Sequence, residues 1–157
     1  ARAMDGHQLW LSQCESYGFS PEARIYEEGT RTSQDAANQL GCDVAHIAKS
    51  IVFEGNQRAV VVIASGANRV DRKRKLKRAI GFKPGIASPE YVKQSTGYAV
   101  GGVPPFGHTK PVDIVMDEDL MEFELVWGAA GTAQTVFPIT PADLQKLSGA
   151  KLADIKQ

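Results

Sequence analysis

Two runs of β-branched and other apolar residues, separated by four turn-forming residues, constrain the fold of this chain more than any other feature. Residues 47–53 read Ile-Ala-Lys-Ser-Ile-Val-Phe, and residues 58–64 read Arg-Ala-Val-Val-Val-Ile-Ala. Glu54-Gly55-Asn56-Gln57 lies between them. Apolar runs of this length are typical of strands that are covered on both faces, so the pattern predicts an antiparallel hairpin inside a buried sheet.

The other predicted elements are distributed irregularly around this hairpin. Capping residues, prolines at helix starts and terminal glycines predict helices at 5–17, from Thr32 or Ser33 to Leu40, 72–80, 89–96 and from Pro141 onwards. Apolar runs predict further strands at 23–26, 112–116, 123–127 and 135–139, and the glycines at 128 and 131 predict a turn at 128–131 between the last two strands. Strands that mostly follow one another, with helices interspersed irregularly, favour an α+β fold over a strictly alternating parallel sheet.

Length and composition indicate one domain spanning residues 1–157. The chain is 43% hydrophobic, and it contains no apolar run near the roughly 18 residues that a membrane helix needs. Residues 1–3, which precede Met4, lack the pattern of a signal peptide and are interpreted as a possible cloning remnant. The two cysteines, Cys14 and Cys42, form no C-x-x-C pair and fit a reducing compartment, so we expect a cytoplasmic protein.

Positive charge is concentrated in one stretch, residues 69–83, which we call the basic segment. The whole chain has a net charge of zero, but this segment contains eight basic residues and one acid. Such a concentration predicts an electrostatic surface for a polyanion, and the candidate contacts are Arg72, Arg74, Lys75 and Arg78. The alternative is a helix whose charged face is simply solvated.

Motifs for several common chemistries are absent from the sequence. No G-x-S-x-G elbow or papain-like cysteine context occurs, so we do not expect a nucleophilic triad. His7, His46 and His108 do not have zinc-ligand spacing, and we predict no metal site. The glycine-rich stretch at 101–107 is neither a P-loop nor a dinucleotide fingerprint, and we expect no cofactor.

Two features remain as candidates for a site. Lys49-Ser50 lies at the entry of a predicted buried strand, where a cation is costly unless it lines a cavity or merely extends its ammonium to solvent. The second feature is Gly-Gly-Val-Pro-Pro-Phe-Gly at 101–107, which we call the glycine-proline loop. It is either a rigid connection between strands or a stiff backbone surface that approaches a ligand closely.

Four sequence blocks carry a resemblance to a known family. They are Ala-Ala-Asn-Gln-Leu-Gly at 36–41, Ile-Ala-Lys-Ser-Ile-Val-Phe at 47–53, Ser-Thr-Gly-Tyr-Ala-Val-Gly-Gly-Val-Pro-Pro-Phe-Gly-His at 95–108, and Gly-Ala-Ala-Gly at 128–131. In this order the chain resembles the YbaK-type, prolyl-tRNA-editing aminoacyl-tRNA deacylases, from about residue 23 to Ile155. The resemblance implies a compact α+β domain with a central mixed, barrel-like sheet surrounded by helices.

The resemblance also implies a reaction, the hydrolysis of the ester between a wrong amino acid and the terminal adenosine of a tRNA. The expected substrate is a mischarged proline tRNA, prolyl-tRNA synthetase is a possible partner, and neither DNA nor a membrane is expected. Lys49 matches the functionally required lysine of the family, and residues 101–105 match its substrate loop. The expected site comprises Lys49 and Gly101 as catalytic residues and, as substrate-binding residues, Tyr26, Ser50, Gly102, Val103, Pro104, Pro105, Gly128, Ala129, Ala130 and Gly131.

The predicted side-chain pocket suggests which amino acid is removed. Family members that remove cysteine tend to carry a hydroxyl residue and an acid where this chain has Ala129 and Val136. With Ala130, these residues would form a small apolar wall, which favours alanine or 2-aminobutyrate, with serine, threonine and cysteine as further candidates. Pro104-Pro105 would exclude proline sterically.

Two interpretations from other classes remain open. A non-catalytic adaptor that binds tRNA or a synthetase would keep the basic segment, but it would not need Lys49 or an intact glycine-proline loop. A small-molecule-binding barrel unrelated to RNA leaves the basic segment unexplained.

Overall fold

The computed structural model describes residues 5–157, and the segment interpreted as a cloning remnant, residues 1–3, lies outside them. The α-helices are α1 (Gly6–Ser16), α2 (Ser33–Leu40), α3 (Lys77–Ile80), α4 (Pro89–Thr96) and α5 (Pro141–Ser148). Capping governs their positions as predicted. The side chains of Thr32, Ser88 and Thr140 accept hydrogen bonds from the first turns of α2, α4 and α5. No helix in the described part of the chain is both long enough and apolar enough to span a membrane.

Eight strands form one mixed sheet, which confirms the α+β class. They are β1 (Arg24–Ile25), β2 (Ile47–Glu54), β3 (Val60–Ser65), β4 (Gly85–Ile86), β5 (Asp113–Asp117), β6 (Val126–Ala129), β7 (Thr135–Ile139) and β8 (Lys151–Ala153). The order is β1-β7-β6-β2-β3-β5-β8, and β4 pairs with the far end of β2. The predicted hairpin is present, with β2 and β3 antiparallel in register from Ala48 opposite Ser65 to Phe53 opposite Val60.

The sheet is open, so the expectation of a barrel-like closure is corrected. Among residues 5–157, its two edge strands, β1 and β8, do not pair with each other. They are only two and three residues long, and each pairs with one neighbour. Strands this short at the two edges offer few backbone groups with which to close the sheet.

Core residues cover both faces of the hairpin, which explains its continuous apolar sequence. On one face, Ile63 packs in a cluster that includes Trp10 of α1, Val92 of α4 and Leu144 of α5. On the other face, Val60, Val62 and Ala64 pack with Leu76, which lies within the basic segment. Alternate residues of β3 therefore serve two separate hydrophobic layers.

Three local predictions need correction. Residues 72–76 form a π-helical turn instead of the start of an α-helix, with the Leu76 N–H bonded to the Asp71 carbonyl five residues earlier, and Leu76 is fully buried. The wide turn lets Leu76 enter the core while the Asp71 N–H remains bonded to Ile155. The predicted strand at 123–127 begins only at Val126, because a 3-10 helix over Glu118–Glu122 precedes it. The predicted turn at 128–131 lies further on, at 131–134.

Candidate functional site

A cleft opens where strands β2 and β6 stop pairing. These parallel strands share only two residue pairs, Ile47 with Trp127 and Ala48 with Gly128. The next residues of each strand line a cavity of about 180 Å³, which is the space of roughly six water molecules. The lining residues come from four parts of the chain: Tyr26, Thr30, Arg31, Thr32, Ser33 and Ala36; Ile47 to Ser50; Gly101 and Val103; and Trp127 to Ala129 with Thr132, Ala133, Thr135 and Val136.

Lys49 is a partly buried cation in this cleft. Its Nζ donates a hydrogen bond of 2.7 Å to the backbone carbonyl of Asn68. Burial lowers the pKa of Lys49, the neighbouring Arg69 lowers it further, and Asp117 opposes both effects. An ammonium has three donors, so two N–H groups remain for a ligand after the bond to Asn68.

Ser50 and Tyr26 also line the cleft. The Ser50 Oγ is the only buried side-chain oxygen or nitrogen in the described residues that lacks a hydrogen-bond partner. An unpaired buried hydroxyl is costly, so this atom is a polar group that the fold leaves unsatisfied beside the cleft. Burial raises the pKa of Tyr26 to about 12, so its phenol stays protonated at neutral pH.

The glycine-proline loop forms one wall, but only part of it faces the cavity. Gly101 and Val103 line the cleft, whereas Gly102, Pro104 and Pro105 are buried and do not line it. Pro105 packs instead against Gly128, where an added Cβ would lie 3.3 Å from its ring. The two prolines, which were expected to meet the substrate, therefore lie behind the residues that line the cleft.

Three side chains hold the carbonyl groups of this loop in place. Trp10 Nε1 donates to the Phe106 carbonyl at 3.0 Å, and the Tyr98 hydroxyl donates to the Gly107 carbonyl at 2.8 Å. His108 Nε2 donates to the Pro104 carbonyl at 2.8 Å. Burial lowers the pKa of His108 to about 4, although its bond to Pro104 opposes this shift. His108 is therefore neutral at pH 7 and acts as a fixed donor.

Close backbone contacts join the loop to the turn after β6. A Cβ added to Gly102 would lie 2.7 Å from the Thr132 Cα, and one added to Gly131 would overlap the backbone of Gly6 in α1. Only glycine allows such approaches. Gly131 and the fully buried Ala130 thus lie behind the cleft, whereas Gly128 and Ala129 line it. Of the three residues predicted to form the apolar wall, Ala129 and Val136 line the cleft and Ala130 does not.

The opposite wall was missed by the sequence analysis apart from Tyr26. It consists of residues 26–33, which we call the covering segment. Arg31 is exposed at the rim, and Thr30 Oγ1 donates to the Ala133 carbonyl at 2.9 Å. The sequence carries little signal for this role, because the segment contains no dense glycine or proline motif and meets the cleft only through tertiary contacts.

The basic segment begins near Lys49, since Arg69 lies close enough to affect the pKa of Lys49. Two of its four predicted polyanion contacts have intramolecular partners. Arg72 donates to the Pro84 carbonyl at 2.8 Å, and Lys75 pairs with Asp154 at 2.8 Å. Arg74 and Arg78 are exposed, and their guanidinium groups have no hydrogen bond or ion pair within residues 5–157.

No group of three or more His, Cys, Asp or Glu side chains within residues 5–157 is arranged to hold a metal ion. The chemistry of the cleft residues is that of a cation, hydroxyl groups and backbone groups. Such a set can orient a polar substrate and stabilise negative charge that develops on it.

Comparison with known proteins identifies the family. The model of the aminoacyl-tRNA editing domain matches residues 27–147. This range covers well over half of the chain and contains every lining residue of the cleft except Tyr26. The chain therefore belongs to the aminoacyl-tRNA editing domain family, and the resemblance noted in the sequence is confirmed.

Individual relatives agree with this assignment. A solved structure described as a "putative trans-editing enzyme for prolyl tRNA synthetase" superposes with a TM-score of 0.92 at 38% identity, covering 99% of each chain. The uncharacterized protein YwhH of Bacillus subtilis is 32% identical over 128 residues, 81% of each chain. The "Putative Cys-tRNA(Pro)/Cys-tRNA(Cys) deacylase EbsC" of Enterococcus faecalis is 24% identical, covering 83% of this chain and 80% of its own.

Proposed function

We propose that this protein is a trans-editing deacylase that hydrolyses the ester of a mischarged aminoacyl-tRNA. One observation carries the proposal. The pair Lys49-Ser50, Gly101 and Ala129 are far apart in sequence, and all of them line the same cleft between β2 and β6. The family membership and the similarity to a protein described as a trans-editing enzyme support the same activity.

The reaction needs positioning and charge stabilisation more than a protein nucleophile. Water attacks the ester carbonyl carbon, and a tetrahedral intermediate forms with negative charge on the former carbonyl oxygen. The bond to the ribose oxygen then breaks, and the proton that the attacking water gives up restores the tRNA hydroxyl, while the water oxygen remains in the carboxyl group of the released amino acid. A fixed ammonium with two free N–H groups can stabilise the negative oxygen, which is the role we assign to Lys49.

The two walls of the cleft have separate roles in this proposal. The glycine-proline loop presents Gly101 and Val103 to the ester, while its bonds to Trp10, Tyr98 and His108 keep it in place. The volume of about 180 Å³ suits a small amino acid with its ester group. The terminal adenosine would then lie at the opening, beside Arg31.

We infer that the preferred amino acid is small, with alanine or 2-aminobutyrate ahead of cysteine on proline tRNA. Ala129 and Val136 offer no hydrogen-bond partner to a thiol or a hydroxyl, so this wall gives cysteine, serine and threonine no advantage over alanine or 2-aminobutyrate. In this proposal Val103, which lines the cleft, takes the place of the two prolines as the steric barrier to proline. The name of the Enterococcus faecalis relative instead indicates cysteine.

Deacylation rates on a matched panel of mischarged proline tRNAs test this proposal. The panel carries alanine, 2-aminobutyrate, serine, threonine, cysteine and proline. We expect rapid loss of alanine and 2-aminobutyrate and no loss of proline. A clear preference for cysteinyl ester, or rapid prolyl hydrolysis, would contradict our assignment of the pocket. Tight tRNA binding without hydrolysis of any ester would favour the adaptor alternative.

Binding of the tRNA body is assigned to the basic segment, through Arg74 and Arg78. The double variant Arg74→Ala/Arg78→Ala should weaken tRNA binding and reduce the slope of log affinity against log salt by up to about 2. Hydrolysis of an aminoacyl-adenosine fragment should not change. The matched control is Arg58→Ala/Lys110→Ala, which removes two exposed cations near the β2–β3 turn and after α4. If the two double variants change tRNA affinity and its salt dependence equally, Arg74 and Arg78 belong to a face that is simply solvated.

A further inference from the structure

The carbonyl group that holds Lys49 belongs to a tight turn directly after β3. Asn68 follows the end of this strand, and its backbone N–H donates to the Ser65 carbonyl at 2.9 Å. Its own carbonyl accepts the bond of 2.7 Å from Lys49 Nζ. The direction of the ammonium in the cleft is therefore tied to the position of one peptide group.

The side chain of Asn68 is clamped between two carboxylates. Its Nδ2 donates to Asp117 Oδ2 at 2.8 Å and to Asp119 Oδ2 at 2.9 Å. These bonds use both N–H groups of the side-chain amide. The amide oxygen could not replace the nitrogen here, because it only accepts hydrogen bonds. We call Asn68, Asp117 and Asp119 the clamp.

The clamp is fixed to the rest of the fold at both aspartates. Asp117 ends β5, is 1% exposed, and also accepts from the backbone N–H groups of Ser65 at 3.1 Å and Asp119 at 3.0 Å. Asp119 pairs with Lys156 at 2.7 Å. The hydrogen bond from Lys156, followed by that from Asn68, holds the pKa of Asp119 below its usual range. The turn at Asn68 is thereby anchored to β5 and to the C-terminal segment.

We propose that Asn68 is a positioning residue for Lys49, and that the clamp aims the ammonium at the ester by fixing the Asn68 carbonyl. This inference rests on the proposed function of Lys49. Asn68 does not line the cleft, so it would act through Lys49 and not on the substrate directly.

The physical reason is the flexibility of lysine. Four methylene groups connect its ammonium to the backbone, and an unrestrained side chain samples many rotamers. Catalytic stabilisation requires the donor to be in place before charge develops. A carbonyl anchored through two carboxylates supplies that restraint, and it leaves two N–H groups of the ammonium free.

A double-mutant cycle tests this inference. Its readout is the deacylation of proline tRNA that carries alanine. Asn68→Ala should lower kcat about tenfold and leave KM within about twofold, because a fixed ammonium stabilises the transition state more than the bound substrate. In a Lys49→Met background, the same substitution should cause no further loss, because nothing remains to be positioned. Asn56→Ala, the same change at an exposed turn residue, should leave kcat unchanged.

Each outcome decides between distinct alternatives. A similar loss from Asn68→Ala in both backgrounds would overturn the inference and assign Asn68 a general structural role. Wild-type kcat in Asn68→Ala would also overturn it, while a slow Lys49→Met variant would leave the proposed function intact. Full activity in Lys49→Met would show that the role assigned to Lys49 is itself wrong, and the positioning role would fail with it.

A milder variant covers the case in which Asn68→Ala does not fold. Asp119→Asn removes one charged acceptor at the partly exposed end of the clamp. It should lower kcat about threefold with the Lys49 ammonium present and not at all in Lys49→Met. Equal effects in the two backgrounds would again contradict a role through Lys49.

Discussion

The two walls of the cleft are built in opposite ways. Residues 102–107 of the glycine-proline loop are all buried, and Trp10, Tyr98 and His108 each donate a hydrogen bond to a carbonyl group of this loop. Five of the eight residues of the covering segment are exposed, and its one side-chain bond across the cleft is from Thr30 to Ala133. One wall thus has a fixed backbone, whereas the other presents side chains at the entrance.

This contrast assigns different steps to the two walls. A reaction that depends on a preorganised backbone should be sensitive to small changes in the loop. A wall of exposed side chains should affect how well the substrate is held, because its contacts are the same in the ground state and the transition state. We therefore expect changes in the glycine-proline loop to affect kcat and changes in the covering segment to affect KM.

The largest effect is expected where the loop meets the turn after β6. A Cβ at Gly102 would lie 2.7 Å from the Thr132 Cα and 2.9 Å from the Gly131 carbonyl oxygen, so the backbone must shift. Gly102→Ala should lower the free energy of unfolding by about 1–3 kcal/mol and reduce kcat. Chemical denaturation and steady-state kinetics measure these two effects.

The matched control for Gly102 lies in the opposite wall. An added Cβ at Gly29 meets nothing within 4 Å, so Gly29→Ala should leave both stability and kcat close to those of the wild type. Equal effects of the two alanine substitutions would remove the distinction between a fixed and an adaptable wall.

An intermediate effect is expected from protonation of His108. Its pKa is about 4 in the folded protein, below the ordinary value of 6.5. Between these values the unfolded chain binds more protons, so the free energy of unfolding should fall as the pH falls from 6.5 towards 4. The slope from this one group is at most about 1.4 kcal/mol per pH unit.

His108→Gln isolates this contribution, because an amide N–H can still donate to the Pro104 carbonyl without titrating. Urea unfolding at several pH values should give a smaller loss of stability for the variant across the same window. Identical pH dependence in both proteins would show that His108 does not hold the loop as a buried neutral donor.

The smallest effect is expected at Arg31, on the rim of the covering segment. Its guanidinium has no partner within residues 5–157, and we expect it to contact the terminal nucleotide. An exposed charge contact contributes little, so Arg31→Ala should raise KM about 2–5-fold and leave kcat nearly unchanged. A fall in kcat without a change in KM would place Arg31 in the chemical step.

Much of the fold follows from local sequence signals. The hairpin of β2 and β3 and the caps of α2, α4 and α5 depend on residues that are close in the chain. Strand β8 and the π-helical turn at 72–76 were not predicted, because each is defined by contacts with distant residues. Whether the sheet is open or closed likewise depends on whether its two edge strands pair with each other, and local sequence patterns carry no information about such pairing.

The candidate site divides in the same way. Lys49, Ser50, Gly101 and Ala129 belong to sequence blocks that carry the family resemblance, and all of them line the cleft. The clamp could not be predicted, because its aspartates lie 49 and 51 residues from Asn68. The two prolines of the loop were assigned to the substrate because a sequence does not indicate which side of a loop faces a cavity.

The proposed function requires the Lys49 ammonium to take part in the hydrolysis of an aminoacyl ester in the cleft. This role of Lys49 can be tested by single-turnover deacylation of proline tRNA that carries alanine, with the wild type and the Lys49→Met variant compared. Removing the ammonium costs about 3 kcal/mol of transition-state stabilisation, so the variant should react about a hundredfold more slowly. Its stability should remain within about 1 kcal/mol of the wild type, because the hydrogen bond to Asn68 is offset by the burial of the charge. A folded Lys49→Met protein that deacylates at the wild-type rate would show that the Lys49 ammonium takes no part in the reaction.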